Sequence, residues 1–308
     1  PKAPRFYIMK WLTDYITEFG IDGYRADTVK HTEEGIWSEF KKECDYAFAQ
    51  WKLNNPDKVL DTTNFYMVGE VYNYGINGGQ LFDFGDKKVN YFENGFNSLI
   101  NFDFKWNAAQ NTYEELFSTY SNILENQFKG YGVLNYVSSH DDGSPFDKER
   151  AKPFESATKL LLCPGASQVY YGDESARQLI VEGATGDANM RSNMNWDEIA
   201  SNEKTKEILS HWQKLGKFRN NHPSVGAGIH KMISEKPYVF ERTFSKNAYV
   251  DAVVVGLDLN KGEKEINVGN NFEEGAMLID AYSGNEVIVK NGKAKINSPF
   301  SIVLLEKK

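Results

Sequence analysis

The chain has very few cysteines: two in 308 residues, Cys44 and Cys163, far apart in sequence and each in an apolar or helix-like setting. That excludes a disulfide framework and favours buried free thiols. No apolar run approaches the roughly 18–20 residues needed to cross a bilayer. Positive charge is also scarce, with 35 Lys and Arg against 43 Asp and Glu, a net charge of −8 and no basic cluster. Nucleic acid and anionic membrane are therefore poor candidates for the main partner. There is no internal repeat, no low-complexity tract and no visible signal peptide. The first twenty residues, PKAPRFYIMKWLTDYITEFG, read as the middle of a domain, so an export signal would lie ahead of them.

What is abundant is aromatic: 17 Tyr, 20 Phe and 6 Trp within a 41% hydrophobic composition. This is enough for one large core or two modest ones. It suits both tight packing and stacking on sugar faces. Ile8, Trp11, Leu12, Tyr15, Ile16 and Phe19 fall at helical spacing, closed by Gly20. A strand is expected over 21–27 and a helix from Glu33 to Trp51. Short apolar runs follow at FYMVGEV (65–71), SLINFDF (98–104), VLNYVSS (133–139) and SQVYYG (167–172). Helical patterns separate several of them, at Thr112 to Gln127 and Phe154 to Cys163, and another spans Asn202 to Asn220. Strands alternating with helices predict right-handed βαβ units and a parallel sheet. After Pro223 the strands become short and alternating, with turn signals at Asn260-Lys-Gly, Ser283-Gly-Asn and Asn291-Gly. The expected organisation is an α/β portion over 1–224 and an antiparallel β-sandwich over 225–308.

Three carboxylates fall at the carboxyl ends of predicted strands, where parallel α/β folds place their sites: Asp27, Glu70 and Asp141. An acid in an apolar run is costly unless it is paired or has a task. In GIDGYRADTVKH (20–31), Arg25 and Asp27 are two apart on a strand and point to the same side. Arg25 would hold Asp27 ionised, while burial would raise the pKa of Glu70. One ionised and one protonated carboxyl, about 5–5.5 Å apart, is what glycoside cleavage with retention requires.

GIDGYRADTVKH, MVGEVY (67–72) and YVSSHDD (136–142) resemble three conserved regions of the α-amylase family, in the family's order and spacing. QVYYGDE (168–174) resembles the segment after the eighth barrel strand, and MRSNMNWD (190–197) the stretch beyond it. The resemblance covers essentially the whole chain and implies a partial (β/α)8 barrel, strands four to eight, followed by the sandwich. It implies a retaining, endo-acting α-1,4-glucan hydrolase, with Asp27 as nucleophile, Glu70 as general acid/base and Asp141 as the third carboxylate. His140 would bind the same sugar, Arg25 would orient Asp27, and Tyr72 would line a subsite. Lys30 and His31 match the Lys-His pair of α-amylases and glucanotransferases, favouring a polymer or maltodextrin. Lys30 equally suits a solvated helix-start lysine, and Trp196 suits packing as well as stacking. Asp173, Glu174 and Arg191 read as loop-building residues, and Asp142 stands where the family more often has Asn.

The resemblance also implies what these residues do not supply. Strands one to three and the family's first conserved region have no counterpart here. A complementing barrel half, on a precursor or a second chain, is expected to cover the open sheet. A structural calcium would take most of its ligands from that region, with only the His31 carbonyl contributed here. Two alternatives stand beside hydrolysis: glucanotransfer, and glucan binding without catalysis. Starch is met outside cells, which favours an extracellular, cell-surface or periplasmic location.

Overall fold

The computed structural model describes residues 3–128 and 130–308. Helix α1 (Pro4–Phe19) begins on a proline and stops at Gly20, whose left-handed φ of 69° would be strained for any other residue. A Cβ at Gly20 would also lie 2.2 Å from the Trp51 ring. Strand β1 (Gly23–Ala26) and a short 3-10 turn (Val29–His31) lead into α2 (Glu34–Asn54). Then come β2 (Tyr66–Gly69), a hairpin of β3 (Leu81–Asp83) and β4 (Lys88–Asn90), and β5 (Ser98–Asn101). Helices α3 (Phe104–Gln110) and α4 (Tyr113–Ile123) precede β6 (Gly132–Tyr136), followed by α5 (Pro153–Leu162) and β7 (Ala166–Gln168). Helices α6 (Trp196–Ser201), α7 (Glu203–Asn221) and α8 (Pro223–Ala227) complete the α/β part.

The five strands β1-β2-β5-β6-β7 form one sheet in sequence order, with β1–β2 and β2–β5 parallel. Adding each strand beside the last is how a (β/α) barrel is built. This is a partial (β/α)8 barrel followed by an antiparallel region. The β3–β4 hairpin was not legible in the sequence, because three-residue strands carry too little alternation.

The chain forms two compact units: Pro1–Asp103 with Gln127–Leu134, and Phe104–Asn126 with Asn135–Lys308. The first is held by aromatic packing: Tyr24 meets Phe65 edge-on at 5.2 Å, Phe48 meets Phe65 at 6.0 Å, and Trp37 meets Phe96 at 5.3 Å. Cys44 is buried here as a free thiol, its pKa pushed up to about 12 by burial. Along α1, Met9 and Ile16 are buried, but Ile8, Trp11, Tyr15 and Phe19 are 51–61% exposed.

In the second unit, α4 starts with a capping box in which the Thr112 hydroxyl accepts from the Glu115 amide and Glu115 accepts from the Thr112 amide. Eight strands follow α8: β8 (Ile229–Ser234), β9 (Tyr238–Lys246), β10 (Tyr249–Leu257), β11 (Gly262–Asn267), β12 (Met277–Asp280), β13 (Glu286–Ile288), β14 (Lys293–Ser298) and β15 (Val303–Lys307). Six form a sheet in the order β13-β12-β15-β10-β9-β8, and β11 pairs with β14. Val254, Leu278, Val303 and Leu305 of the larger sheet share a core with Ile266, Ala294 and Ile296 of the smaller, as a sandwich requires.

Arg242 on β9 is fully buried. It donates to His230 Nδ1 at 2.8 Å, to the Val225 carbonyl at 2.8 Å and to the Leu162 carbonyl at 3.1 Å. His230 therefore carries its proton on Nε2, which donates to Glu114 Oε2 at 2.7 Å. Tyr238 donates to the same oxygen at 2.9 Å. Burial, then the Arg242 charge, lowers the His230 pKa and keeps the ring neutral. Replacing Arg242 with Met should strip three acceptors at once and lower unfolding stability by about 3 kcal/mol or more. Urea denaturation measures this, and a loss under about 1 kcal/mol would show that the network contributes little.

Candidate active site

Parallel pairing fixes the first half of the site. The β1–β2 register sets Arg25 against Val68 and Ala26 against Gly69, so Asp27 and Glu70 occupy the next rung. The backbone continues the ladder there: the Glu70 amide donates to Ala26 O at 2.8 Å, and the Val29 amide to Glu70 O at 2.9 Å. Gly69 leaves no room for a side chain, since a Cβ would lie 2.8 Å from the Phe96 ring. Glu70 follows it into a setting only 7% exposed.

Arg25 and Asp27 lie on the same side, as strand alternation requires, and Arg25 Nη1 donates to Asp27 Oδ1. Arg25 Nη2 lies 3.9 Å from Glu70 Oε2. The Thr28 amide donates to that oxygen at 2.8 Å. To aim its amide there, Thr28 takes a left-handed conformation, φ 49° and ψ 37°, which is unusual and strained for a β-branched residue. The Glu70 pKa is raised: burial is the main cause, and a hydrogen bond with Asp27 and its charge add to it. The Thr28 amide and Arg25 oppose the shift. The two carboxyls thus stand within hydrogen-bonding reach of each other. Neither the Thr28 amide nor the second contact of Arg25 was visible in the sequence, because both depend on strand register.

Lys30 donates to the Tyr72 carbonyl at 3.2 Å, and its ammonium packs 4.9 Å from the Tyr72 ring and 5.5 Å from the Phe82 ring. Tyr72 is 53% exposed. The His31 side chain is exposed at the end of the 3-10 turn. Arg25, Asp27, Lys30, Glu70 and Tyr72 are thus gathered in the first unit.

His140 and Asp141 lie together in the second unit, with His140 Nε2 3.4 Å from Asp141 Oδ2. Ser139 Oγ donates to Asp141 Oδ1 at 2.9 Å, and Arg191 Nε donates to the His140 carbonyl at 3.0 Å. Asp173 accepts from Ser138 Oγ at 2.5 Å and Arg150 Nη2 at 2.8 Å, and Glu174 accepts from the Gly172 amide at 2.8 Å. All three of Asp173, Glu174 and Arg191 build loops. Trp196 is 68% exposed. The sequence reading missed Arg177, which is fully buried, stacks 4.0 Å from the Tyr171 ring and donates to the carbonyls of Tyr171, Met190 and Ser192. A single arginine in a loop carries no periodic signal.

Among the described residues, no group of three or more His, Cys, Asp or Glu side chains could hold a metal ion. Calcium takes six to eight oxygens, and toward such a site this chain would offer only the His31 carbonyl, the remaining ligands being expected outside it.

A carboxyl bonded to an arginine, beside one of raised pKa, can pair nucleophilic attack with proton donation. No protein-family model matches the chain. It is 37% identical over 228 residues to the periplasmic alpha-amylase of Escherichia coli, covering 73% of this chain and 31% of that protein. To a cyclomaltodextrin glucanotransferase of Geobacillus stearothermophilus it is 26% identical over 247 residues, 77% of this chain and 30% of that protein. The alpha-amylase of Geobacillus thermoleovorans, solved with acarbose, superposes with a TM-score of 0.67 at 19% identity, over 99% of this chain and 64% of that one. The chain thus spans less than a third of the length of those two sequence relatives.

The raised pKa of Glu70 has a consequence for stability. Its penalty is absent below the unfolded-state value of about 4.5, grows as pH rises toward the folded-state value, and is complete above it. Glu70→Gln should therefore be more stable than wild type at pH 8, with the gap closing on acidification to about pH 4. Thermal unfolding across pH tests this, and a gap that widens in acid would mean the shift has the opposite sign.

Proposed function

Because the chain belongs to the α-amylase family, we propose that it carries the catalytic carboxylates of an endo-acting α-1,4-glucan hydrolase that retains anomeric configuration. The observation that supports this most is the pairing of Arg25-held Asp27 with a Glu70 of raised pKa, one residue beyond adjacent parallel strands. In the first step an Asp27 oxygen attacks the anomeric carbon and the glycosidic C–O bond breaks. Glu70 gives its proton to the departing sugar oxygen. In the second, Glu70 takes a proton from water as the water oxygen displaces Asp27. Asp141 and His140 would bind sugar hydroxyls, and Lys30, His31 and Tyr72 would contact the glucan chain.

The glucanotransferase relative favours a second reading, in which a sugar hydroxyl replaces water in the second step. Product analysis on maltoheptaose separates the two: longer oligosaccharides mark transfer, and shorter ones alone mark hydrolysis. An exported location agrees with the periplasmic relative, and no helix among the described residues is long and apolar enough to cross a membrane.

The remaining strands of the barrel are proposed to cover β1, which ends its sheet, and the exposed Ile8, Trp11, Tyr15 and Phe19 face of α1. Each bare edge presents unpaired backbone groups beside apolar side chains. A polypeptide of only these 308 residues should self-associate in sedimentation velocity. A monodisperse, starch-cleaving monomer of 35.1 kDa would overturn that proposal.

Asp27→Asn in the intact protein should lower turnover of soluble starch at least about a thousandfold while maltoheptaose binding stays measurable. A variant keeping a tenth of the wild-type rate would remove Asp27 from the nucleophile's role.

A further inference from the structure

Asp142 follows Asp141, yet the two side chains go opposite ways. Asp141 and His140 are 42% and 47% exposed, whereas Asp142 is 10% exposed and meets Lys105, 8% exposed, in an ion pair. Tyr136 OH donates to Asp142 Oδ2 at 2.7 Å and the Ser144 amide donates to Oδ1 at 3.0 Å. Burial alone would raise the Asp142 pKa, but Lys105, Tyr136 and the Ser144 amide together hold it below the usual carboxylate range.

Helix electrostatics do not explain Lys105. It stands in the first turn of α3, where a cation opposes the helix dipole, and taking an ammonium out of water is costly. A buried ion pair is itself a poor source of stability. What it does secure is position. Residue 142 is held from three directions on one side of Asp141, while the Arg191 bond to the His140 carbonyl and the Ser139 bond to Asp141 Oδ1 hold the other. The loop backbone is fixed, and the His140 and Asp141 side chains are left turned outward.

We infer that Lys105 and Asp142 are positioning residues: their buried ion pair sets where Asp141 and His140 present themselves to a glucan. The inference rests on the glucan-binding role proposed for Asp141. Neither residue of the pair touches the sugar. Charge balance within the pair matters more than the identity of either partner, since one charge left alone would pull water or a new partner into the loop.

The test compares Lys105→Met, Asp142→Asn, the double variant and Tyr136→Phe with wild type in the intact protein. Maltoheptaose affinity is read by calorimetry well below each melting temperature, with KM and kcat on soluble starch. Each single charge-removing variant should weaken affinity about tenfold and raise KM more than it lowers kcat. The double variant, neutral at both positions, should return to within about threefold of wild type. Should the single variants fail to fold, Tyr136→Phe removes one hold on Asp142 without changing charge and should weaken affinity by about threefold. Folded variants with lowered melting temperatures but wild-type affinity would overturn the positioning role and leave only a structural one, as would wild-type affinity in Tyr136→Phe. A wild-type protein that binds no maltoheptaose would overturn the glucan reading, and this inference with it.

Discussion

Parallel pairing of β1 with β2 is the constraint from which the rest of the first unit follows. A register of Ala26 against Gly69 brings Asp27 and Glu70 to the same level at the strand ends. Shifting the pairing by one residue would turn one carboxylate to the other face of the sheet. At that spacing two acids cannot both ionise without cost. Arg25 treats them unequally, since it bonds Asp27 directly and reaches Glu70 only at 3.9 Å. Burial of Glu70 works in the same direction. The contrast between an arginine-bonded Asp27 and a buried Glu70 is therefore a consequence of strand order and one arginine, not of any difference between aspartate and glutamate.

The second unit solves a different problem. Loops and helix ends leave backbone carbonyls without partners, and here buried cations supply the donors. Arg219 of α7 caps the carbonyls of Leu161 and Cys163 at the end of α5, each at 3.0 Å. Arg177 serves the loops around Tyr171 and Ser192, and Lys159 donates to Asn111 O at 2.9 Å. Arg242 joins α5, α8 and β9 in the same way. Arg219 and Arg242 remain charged, lowered by burial only to about 10. Arginine's several donors in a fixed fork suit this task better than any neutral side chain.

The sequence made the long elements legible because their periodicity spans many residues: α1, α2 and α7 are each sixteen or more residues long. Asp27, Glu70 and Asp141 were legible because acids in apolar runs are anomalous whatever the fold. The β3–β4 hairpin, the Thr28 amide, Arg177 and the Lys105–Asp142 pair were not. The Thr28 amide and the ion pair depend on which residues meet across long stretches of chain, 42 residues for Thr28 and Glu70 and 37 for Lys105 and Asp142, whereas the hairpin strands are too short and Arg177 too solitary to carry a pattern. Spacing along a single element carries no trace of such meetings. The exposed face of α1 shows the complementary limit: periodicity identified an apolar stripe but not what lies against it.

The left-handed backbone at Thr28 couples a proton to a torsion angle. Its amide donates to Glu70, and that bond is charge-assisted when Glu70 is ionised and weaker when it is protonated. The strain stored in the peptide that follows Asp27 is thus offset to a degree that tracks the charge on the neighbouring acid. Each protonation of Glu70 loosens the restraint and each loss of the proton tightens it. The backbone beside Asp27 is in effect a spring whose tension reads the ionisation of the group across from it.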